Sequence, residues 1–483
     1  MRIDDWLAGR AQSCPERTAL IAEGAEVTYA ELEAEALWVA RRLAAHGVRR
    51  GSTAALTMHP RREQVVLAHA LMKVGAALLP LSPRLTEAER ARVIAVVEPM
   101  VDLDDPGLLT QTEADLPMLG EHDTEAICAY VLSSGSTGEP KPIGLTYGNF
   151  LWSAVGGAFN IGVLPGDRWL CCLPLSHIAG LSIVIRSAIY GTTAVVHDGF
   201  DTERVAAALA SEPISVVSLV TTQLRRLLEA GADLSGPRAI LVGGGPVPAA
   251  VLAEAIERGA SVVQTYGLTE TCSQVATLAP EDAQRKLGSA GRPLLFNHIR
   301  IRDGEILVQG PTVAPGRSDE SGWLHTGDLG RIDEEGFLYV QDRIDDMIVT
   351  GGENVVPSEV EAVLLTHPEV TDAAVVGRED PEWQQAVTAV VVLAPEAEVT
   401  PDELRHHCAE TLAGYKVPKR VEARRGAAAH ALGKVDAARA PLACPACEPT
   451  TSSTTKTPTS PSSRARRSRS SATAPRATPT LST

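Results

Sequence analysis

The feature that most constrains the fold of this chain is an alternation of two kinds of segment between about residues 126 and 276. Short apolar runs alternate with longer segments in which apolar residues recur every three or four positions. This rhythm is typical of β-α-β units, which build a mostly parallel sheet covered by helices on both faces. The predicted strands are Ala126–Leu132, Arg168–Leu173, Thr192–Val196, Ile214–Leu219, Arg238–Val242 and Ser261–Thr265. The predicted helices between them are Ser182–Tyr190, Thr202–Ala210, Thr221–Ala230 and Pro248–Arg258.

An α/β section precedes this alternation, and two different sections follow it. Residues 290–341 contain short strands separated by Gly and Asp turns, and a compact α+β pattern begins after residue 346. The helices predicted in these sections are Tyr29–His46, Glu63–Val74, Pro357–Thr366 and Pro401–Leu412. The strands predicted there are Ile299–Ile301, Glu305–Gln309, Phe337–Val340, Val370–Val376 and Val387–Leu393.

We therefore predict an α/β protein with four parts. A large N-terminal domain of parallel-rich sheets covered by helices, with a small β-rich subdomain, spans residues 1–341. A hinge at 342–346 joins it to a small mobile α+β lid domain at 347–440, and an abnormal, disordered tail follows at 441–483. The two domain sizes lie within or close to the ordinary range.

Charge is divided unevenly along the chain. The formal net charge is −16, from 44 basic and 60 acidic residues, which argues against a protein that binds nucleic acid by neutralising phosphates. From Pro449 onward there are six basic residues, no acidic ones and 19 Ser or Thr, so the preceding residues carry −22. Such a tail has too few apolar side chains to offset its ordering entropy. A polyphosphate ligand must therefore be bound by a local site in the acidic body.

We expect a cytoplasmic protein that does not insert into a membrane. The first ten residues include two Asp where a signal peptide needs an apolar run, and no apolar window reaches the roughly 18 residues of a membrane span. Eight scattered cysteines are typical of thiols in a reducing compartment. We interpret the single CxxC pair, Cys444 and Cys447, as incidental because no second pair accompanies it.

The most specific segment is a polar loop directly after an apolar strand. Hydroxyl groups and glycine amides in a tight loop can surround phosphate oxygens, and a lysine adds positive charge. Its spacing differs from the common G-x-x-x-x-G-K-[ST] phosphate loop. A flexible Ser/Gly linker is the alternative, although a linker is out of place inside a β-α-β series. The candidate ligands are Ser133, Ser134, Gly135, Ser136, Thr137, Gly138 and Lys141.

This loop resembles the signature of the adenylate-forming superfamily, which includes acyl- and aryl-CoA ligases. Further motifs of that superfamily follow in the expected order, and the resemblance covers about residues 15–440. They are Gly243-Gly244-Gly245-Pro246, Tyr266-Gly267-Leu268-Thr269-Glu270, Trp323-Leu324-His325-Thr326-Gly327-Asp328, Asp342-Arg343-Ile344-Asp345-Asp346, Gly351-Gly352-Glu353-Asn354 and Pro357-Ser358-Glu359-Val360-Glu361.

The resemblance implies an ATP site. The Gly243–Gly245 loop and the ring of Tyr266, which Gly267 follows, would hold adenine. Thr269 would contact the α-phosphate, and Glu270 would bind Mg²⁺, a cation that prefers carboxylate and phosphate oxygens. Asp328 and Arg343 would bind the ribose. Taken singly, Glu270 could be a helix N-terminal charge and Asp328 a turn residue.

The implied reaction has two half-reactions with ATP and CoA as cosubstrates. A carboxylate attacks the α-phosphate of MgATP, and a thiol then displaces AMP from the acyl-adenylate. Lys434 matches the lid lysine that stabilises charge in the first step. Asp345 matches the hinge about which the lid rotates, which brings Gly351, Gly352 and Glu353 to the pantetheine tunnel. Asp345 could equally be an ordinary loop acid.

A further resemblance concerns the carboxylic acid that serves as substrate. The segment Leu173–Gly191, with the glycine loop and Gln264–Gly267, is similar to o-succinylbenzoate:CoA ligases of menaquinone synthesis. That acid carries two carboxylates and an aromatic ring, so its site needs an apolar slot and a cation or strong donors. Arg186 is our candidate cation and His177 our candidate near the reacting carboxylate. The alternatives are an ion pair at the surface or between domains for Arg186, and a packed core histidine for His177.

Other functions stay open at this point. The chain could be another aryl or medium-chain acyl-CoA ligase, a stand-alone adenylation module that loads a carrier protein, or a catalytically inactive binding protein. The superfamily suggests a homodimer. Pro142 stands where the superfamily usually has Gly in the phosphate loop. Residues 421–430 lack the expected strand pattern before Lys434, and we hypothesise that a reading-frame shift or a sequencing error altered the C-terminus.

Overall fold

The computed structural model describes residues 1–104, 118–133 and 141–425. Several predictions lie outside these residues. They are the centre of the phosphate loop (Ser134, Gly135, Ser136, Thr137, Gly138), Lys434, the Cys444/Cys447 pair and the tail 441–483. Among the described residues, the helices lack the length and the apolar character that a membrane span requires.

The helices of the described residues, in chain order, are α1 (Trp6–Ser13), α2 (Tyr29–Ala45), α3 (Arg62–Val74), α4 (Glu87–Val97), α5 (Tyr147–Ile161), α6 (Ile178–Tyr190), α7 (Thr202–Ser211), α8 (Thr221–Glu229), α9 (Ala249–Glu257), α10 (Pro357–Leu364) and α11 (Pro401–Thr411). The strands are β1 (Arg2–Asp4), β2 (Thr18–Ala22), β3 (Ala25–Thr28), β4 (Thr53–Thr57), β5 (Ala77–Leu81), β6 (Val101–Asp102), β7 (Glu121–Asp123), β8 (Ile127–Ser133), β9 (Lys141–Thr146), β10 (Arg168–Cys171), β11 (Thr193–Val196), β12 (Val216–Val220), β13 (Ala239–Gly243), β14 (Val262–Tyr266), β15 (Ala276–Thr277), β16 (Arg292–Pro293), β17 (His298–Arg302), β18 (Glu305–Gln309), β19 (Leu324–Ile332), β20 (Leu338–Arg343), β21 (Ile348–Thr350), β22 (Glu353–Val355), β23 (Val370–Asp380), β24 (Gln384–Leu393) and β25 (Arg420–Arg425).

The predicted α/β class is confirmed by a nine-stranded sheet with the order β16-β15-β14-β13-β12-β10-β11-β2-β3. Six adjacent strands, from β14 to β2, run parallel, whereas β15, β16 and β3 are antiparallel additions at the two edges. The central strands are buried along nearly their whole length, as in Ala239–Val242, because helices cover both faces of a parallel sheet. Their carboxyl ends therefore lie along one edge, where ligands of such sheets bind.

The prediction that Ala126–Leu132 shares a sheet with the later strands is wrong. This segment, β8, pairs in parallel with β5 and antiparallel with β9 in a separate five-stranded sheet of order β6-β4-β5-β8-β9. Hydrophobic periodicity shows that a segment is a strand but not which strand it pairs with. The two ends of the phosphate loop, Ser133 and Lys141, are paired residues of β8 and β9.

The smaller predicted sections also form. Strands β17 to β20 make a four-stranded antiparallel sheet, and β21 to β25 with α10 and α11 make a compact α+β unit. The latter has its own apolar cluster, which includes Val360, Val391 and Leu404. The boundaries 1–341, 342–346 and 347–440 remain predictions.

The expectation that residues 421–430 lack a strand is wrong for the part of this segment that is described. Strand β25 pairs in parallel with β24, with Val421 opposite Ala389. Val421 packs against the apolar cluster of the unit, whereas Ala423 and Arg424 are exposed. A strand at a sheet edge is held by backbone hydrogen bonds on one side, so polar outward-facing residues conceal it from pattern analysis.

Candidate active site

Two of the predicted motifs lie at the carboxyl ends of neighbouring parallel strands. Gly243 ends β13 and Tyr266 ends β14, and these strands pair directly. A Cβ atom at Gly243 would lie 2.8 Å from the carbonyl oxygen of Thr265, and Gly244 has φ of +79°. Only glycine fits this close approach and this left-handed backbone. The glycine loop and Tyr266 therefore face one edge of the sheet, as predicted.

The second motif continues into a one-turn 3-10 helix, Thr269–Thr271. A Cβ atom at Gly267 would lie 1.5 Å from the carbonyl oxygen of Ser273, so the chain folds back tightly on itself here. Thr269 and Glu270 are partly exposed at this turn. The carbonyl oxygen of Glu270 accepts a hydrogen bond from the amide of Ala314, which ties the turn to a neighbouring segment.

Tyr266 and Asp328, 62 residues apart in sequence, are in direct contact. The phenolic hydroxyl of Tyr266 donates to Oδ2 of Asp328 over 2.6 Å, and Asp328 is only 8% exposed. Burial raises the pKa of the Asp328 carboxyl, although the hydrogen bond from Tyr266 and the charge of Arg343 act against it. The structure thus brings together an aromatic ring and a carboxylate that are both predicted to contact a nucleoside.

Arg343 joins this pair through the sheet register. Arg343 ends β20 and lies directly opposite Asp328 on β19, and its Nε lies 3.5 Å from Oδ1 of Asp328. The charge of Glu270 also contributes to the raised pKa of Asp328, so this carboxylate is nearby as well. Tyr266, Glu270, Asp328 and Arg343 therefore form one cluster, which we call the nucleotide cluster.

A divalent cation fits Glu270. Magnesium in proteins is commonly bound by one or two carboxylates together with phosphate oxygens and water. No group of three or more metal-ligating side chains occurs among the residues that the structure describes. Glu270 has no ion-pair partner in that part of the chain, so its carboxylate is available to a cation.

Arg186 lies in α6 and is 3% exposed. Its Nη1 donates to Oε1 of Gln274 over 2.6 Å, its Nη2 donates to Oγ of Ser153 over 2.7 Å, and its Nε has no hydrogen-bond partner. The ring centroid of Trp169 lies 5.9 Å from the guanidinium carbon. No carboxylate pairs with Arg186 in the described ranges, and burial lowers its pKa. The alternative of a surface or interdomain ion pair therefore does not hold there.

Gln274 and Ser153 are residues that sequence reasoning missed. Ser153 also donates to the carbonyl oxygen of Cys272, three residues after Thr269. The buried guanidinium is thus connected to the turn that carries Thr269 and Glu270. An arginine within an apolar helix pattern signals that polar partners must exist, but these partners are 33 and 88 residues away in sequence.

His177 immediately precedes α6 as its N-cap residue and is exposed. The alternative of a packed core histidine is therefore wrong. Surrounding protein atoms and then the charge of Arg84 lower its pKa, which favours the neutral imidazole near pH 7.

The predicted hinge and CoA residues lie at the start of the α+β unit. Asp345 is exposed in a 3-10 turn, Ile344–Asp346. Gly351 and Gly352 form the exposed turn between β21 and β22, where Glu353 begins the second strand. Just before the turn at Asp345, Oδ2 of Asp342 accepts the amide of Ser358 at the start of α10.

Comparison with known proteins identifies the family. The family described as "AMP-binding enzyme" matches residues 7–119 and 101–316, and the family described as "AMP-binding enzyme C-terminal domain" matches residues 359–434. The chain belongs to the AMP-binding enzymes. The 2-succinylbenzoate–CoA ligase of Bacillus subtilis (strain 168) is 41% identical to this AMP-binding enzyme over 453 residues, which cover 86% of the chain and 92% of that relative.

Solved structures agree with this assignment. The o-succinylbenzoate CoA synthetase of Bacillus subtilis in complex with the acyl-adenylate intermediate matches this AMP-binding enzyme with a TM-score of 0.81 at 40% identity. The match covers 88% of this chain and 95% of that one. The same synthetase in complex with ATP and magnesium ion matches with a TM-score of 0.80 at 40% identity, over 88% and 96% of the two chains. The predicted membership of the adenylate-forming superfamily is therefore confirmed.

Proposed function

We propose that this AMP-binding enzyme is an ATP-dependent acid–thiol ligase that converts o-succinylbenzoate and CoA into o-succinylbenzoyl-CoA, AMP and pyrophosphate. The observation that carries the choice of acid is the buried Arg186, whose partners are neutral and whose Nε is unpaired. A guanidinium removed from water without an anion is costly, so the site gains most from a ligand that supplies a carboxylate. Two relatives that are 41% and 40% identical to this chain carry the name of this ligase.

In the first half-reaction the nucleotide cluster binds ATP. The ring of Tyr266 stacks on adenine, and the carboxylate of Asp328 accepts hydrogen bonds from the ribose hydroxyls while Arg343 donates to the same sugar. Thr269 donates to the α-phosphate. When bound at Glu270, Mg²⁺ would neutralise phosphate charge. The loop residues predicted above from the sequence, from Ser133 to Lys141, are proposed as the phosphate ligands.

The acid lies between the nucleotide cluster and Arg186. Ser153 connects the guanidinium to Cys272, just after the turn that carries Thr269. A dicarboxylate can therefore bind its unreactive carboxylate near Arg186 while the other carboxylate attacks the α-phosphate beside Thr269. His177, at the start of the same helix as Arg186, contacts the acid near the reacting carboxylate. Its neutral imidazole avoids a competing ion pair with that carboxylate.

Lys434 supplies positive charge to the α-phosphate in this step. In the second half-reaction the lid rotates about Asp345, and Gly351, Gly352 and Glu353 face the incoming pantetheine thiol. Replacing Lys434 by Ala is expected to slow adenylation strongly while thioester formation from synthetic acyl-adenylate persists. Equal losses in both half-reactions would count against this role. Intact-mass analysis of the native protein tests the altered C-terminus separately.

The function is tested with a panel of carboxylic acids, MgATP and CoA. We expect o-succinylbenzoate to drive ATP–pyrophosphate exchange and CoA thioester formation far better than benzoate or octanoate. Exchange with benzoate or octanoate but not with o-succinylbenzoate would make the chain another acyl-CoA ligase. Transfer to a phosphopantetheinylated carrier protein but not to free CoA would make it an adenylation module instead.

We also propose that the enzyme is a cytoplasmic homodimer. Two phenylalanine side chains of the large body are exposed. Phe159 is 76% exposed and Phe296 is 48% exposed. Phe296 packs edge-on against Trp152, seven residues before Phe159 on α5, at a ring distance of 5.0 Å. Exposed aromatic side chains of this kind are a candidate interaction surface. The localisation rests on the buried free cysteines of the chain, such as Cys171 and Cys272, which are typical of a reducing compartment. In sedimentation analysis the wild type should be a dimer and Phe159→Glu should be a monomer. A monomeric wild type would contradict the proposal.

A further inference from the structure

Asp328 lies in a bulge, where the pairing of strands β18 and β19 is irregular. Glu305 on β18 lies opposite Leu329 on β19, whereas Leu307 lies opposite His325. One residue of β18 therefore faces the three residues Thr326, Gly327 and Asp328 of β19. Such bulges bend a strand and redirect a side chain, and they occur often beside active sites.

Backbone geometry alone does not hold this bulge. Gly327 has φ of +72°, in the left-handed region. The hydroxyl of Thr326 donates to the carbonyl oxygen of Ile306 over 2.7 Å, and the amide of Asp328 donates to the same hydroxyl over 3.1 Å. The amide of Gly327 needs a separate acceptor, because the normal ladder partner is absent at a bulge.

Glu305 provides that acceptor. The amide of Gly327 donates to Oε1 of Glu305 over 3.0 Å, and Nδ1 of His325 lies 2.7 Å from Oε2. The Glu305 side chain is 16% exposed. One carboxylate thus contacts both His325, the last residue paired with Leu307 before the bulge, and Gly327, the residue directly before Asp328.

We infer that Glu305 is a positioning residue for nucleotide binding, acting through Gly327 to orient Asp328 toward the ribose. This inference rests on the proposed function, in which Asp328 accepts the ribose hydroxyls. Glu305 itself makes no contact with the nucleotide. Its loss leaves the Gly327 amide without its acceptor and allows the turn to relax, so the Asp328 carboxylate no longer has a single orientation.

A positioning role is separated from general structural support by comparing KM for ATP with KM for 2′,3′-dideoxyATP, which lacks both ribose hydroxyls. We call the ratio of these two KM values the discrimination. The wild type should have the lower KM for ATP, because Asp328 accepts the ribose hydroxyls. Glu305→Ala is expected to raise KM for ATP about tenfold, with kcat changed less than twofold and KM for the dideoxy nucleotide unchanged. Asp328→Ala should remove the same discrimination, and the double variant should lose nothing further.

Two further variants define the mechanism. Glu305→Gln keeps an acceptor for Gly327 and is expected to retain most of the discrimination. Glu335→Ala is the matched control, because Glu335 is also a carboxylate in this subdomain and contacts Arg285 and Lys286 away from Asp328. Its KM for both nucleotides should stay at the wild-type value. Direct binding of each nucleotide by calorimetry, with circular dichroism of every variant, shows whether the variants are folded.

The inference is overturned if folded Glu305→Ala keeps wild-type discrimination, or if its KM rises equally for both nucleotides, while Asp328→Ala loses discrimination. If Asp328→Ala also keeps full discrimination, the proposed ribose contact itself is wrong, and the role of Glu305 is wrong with it. The two failures are therefore distinguishable.

Discussion

Nη1 of Arg186 lies 2.6 Å from Oε1 of Gln274, a neutral amide, in the interior of the large body. With Ser153 as its other partner, the guanidinium is fully oriented but not neutralised within the described residues. A buried charge without a counter-ion lowers stability unless a ligand pairs with it. Under the proposed function, this arrangement would favour an acid with a second carboxylate.

Replacing Gln274 by Glu should raise the stability of the protein and lower its activity. A carboxylate at this position would pair with Arg186 and raise the free energy of unfolding by about 1–2 kcal/mol. It would also repel the free carboxylate of the substrate, so kcat/KM for o-succinylbenzoate should fall at least about a hundredfold. Chemical denaturation and steady-state kinetics measure the two effects. Arg186→Met is the companion variant and should lose the dicarboxylate preference without losing stability; a large loss of stability in this variant would contradict our interpretation.

The hydrogen bond between Tyr266 and Asp328 should control how ATP binding depends on pH. Asp328 accepts ribose hydroxyls only as a carboxylate, and burial raises its pKa above the ordinary value. KM for ATP should therefore increase as the pH falls through that raised pKa. Tyr266→Phe keeps the ring but removes a contact that lowers this pKa, so the rise in KM should begin at a higher pH than in the wild type. Measuring KM from about pH 8 down toward the ordinary carboxyl pKa of 3.8 tests this, and coincident profiles would refute it.

Two glycines of the site should respond differently to alanine. At Gly267 a Cβ atom would overlap the carbonyl oxygen of Ser273, at 1.5 Å, so Gly267→Ala must displace the backbone of the turn. At Gly245 nothing lies within 4 Å of such an atom. We expect Gly267→Ala to lower both the Tm and the activity, and Gly245→Ala to leave the Tm unchanged while weakening ATP binding. A wild-type Tm for Gly267→Ala would show that the turn is not as tight as described.

Buried His69 should make the stability depend on mildly acidic pH. Burial, and then the charge of Lys73, lower its pKa to about 4, although Asp5 acts in the opposite direction. The unfolded chain takes up this proton near pH 6.5, so the folded state loses stability as the pH falls from about 6.5 to about 4, by about 3 kcal/mol in total. His69→Leu should remove this part of the pH dependence, because leucine does not titrate. Urea unfolding at about pH 7 and pH 5 gives the loss of unfolding free energy between the two pH values for each protein. An equal loss in the wild type and in His69→Leu would argue against this prediction.

A second acidic transition belongs to a different group. Burial raises the pKa of Asp5, but contacts with His122 and Lys73 outweigh it and hold the pKa well below its ordinary range. The stability from this carboxylate is present above the unfolded value near 3.8 and is lost only at lower pH. It therefore does not interfere with the measurement on His69.

Local pattern was enough to predict most of the described helices, but fewer than half of the described strands. Helix α7 and strand β18 begin where the prediction placed them, because capping residues and apolar periodicity are local properties. The assignment of β8 to a sheet was wrong, and β25 is one of the strands that were missed. Strand pairing is a long-range choice, and an edge strand with polar side chains has no local signature.

The sequence by itself determined the family, the order of the motifs and the residue types that a nucleotide and Mg²⁺ require, because these are carried by short segments with a fixed spacing. Only the tertiary structure decided that Tyr266, Asp328 and Arg343 meet, and that Arg186 is buried against Ser153 and Gln274. These contacts join residues far apart in the chain, and their energy depends on burial and on the absence of a nearby counter-charge, neither of which a linear pattern contains.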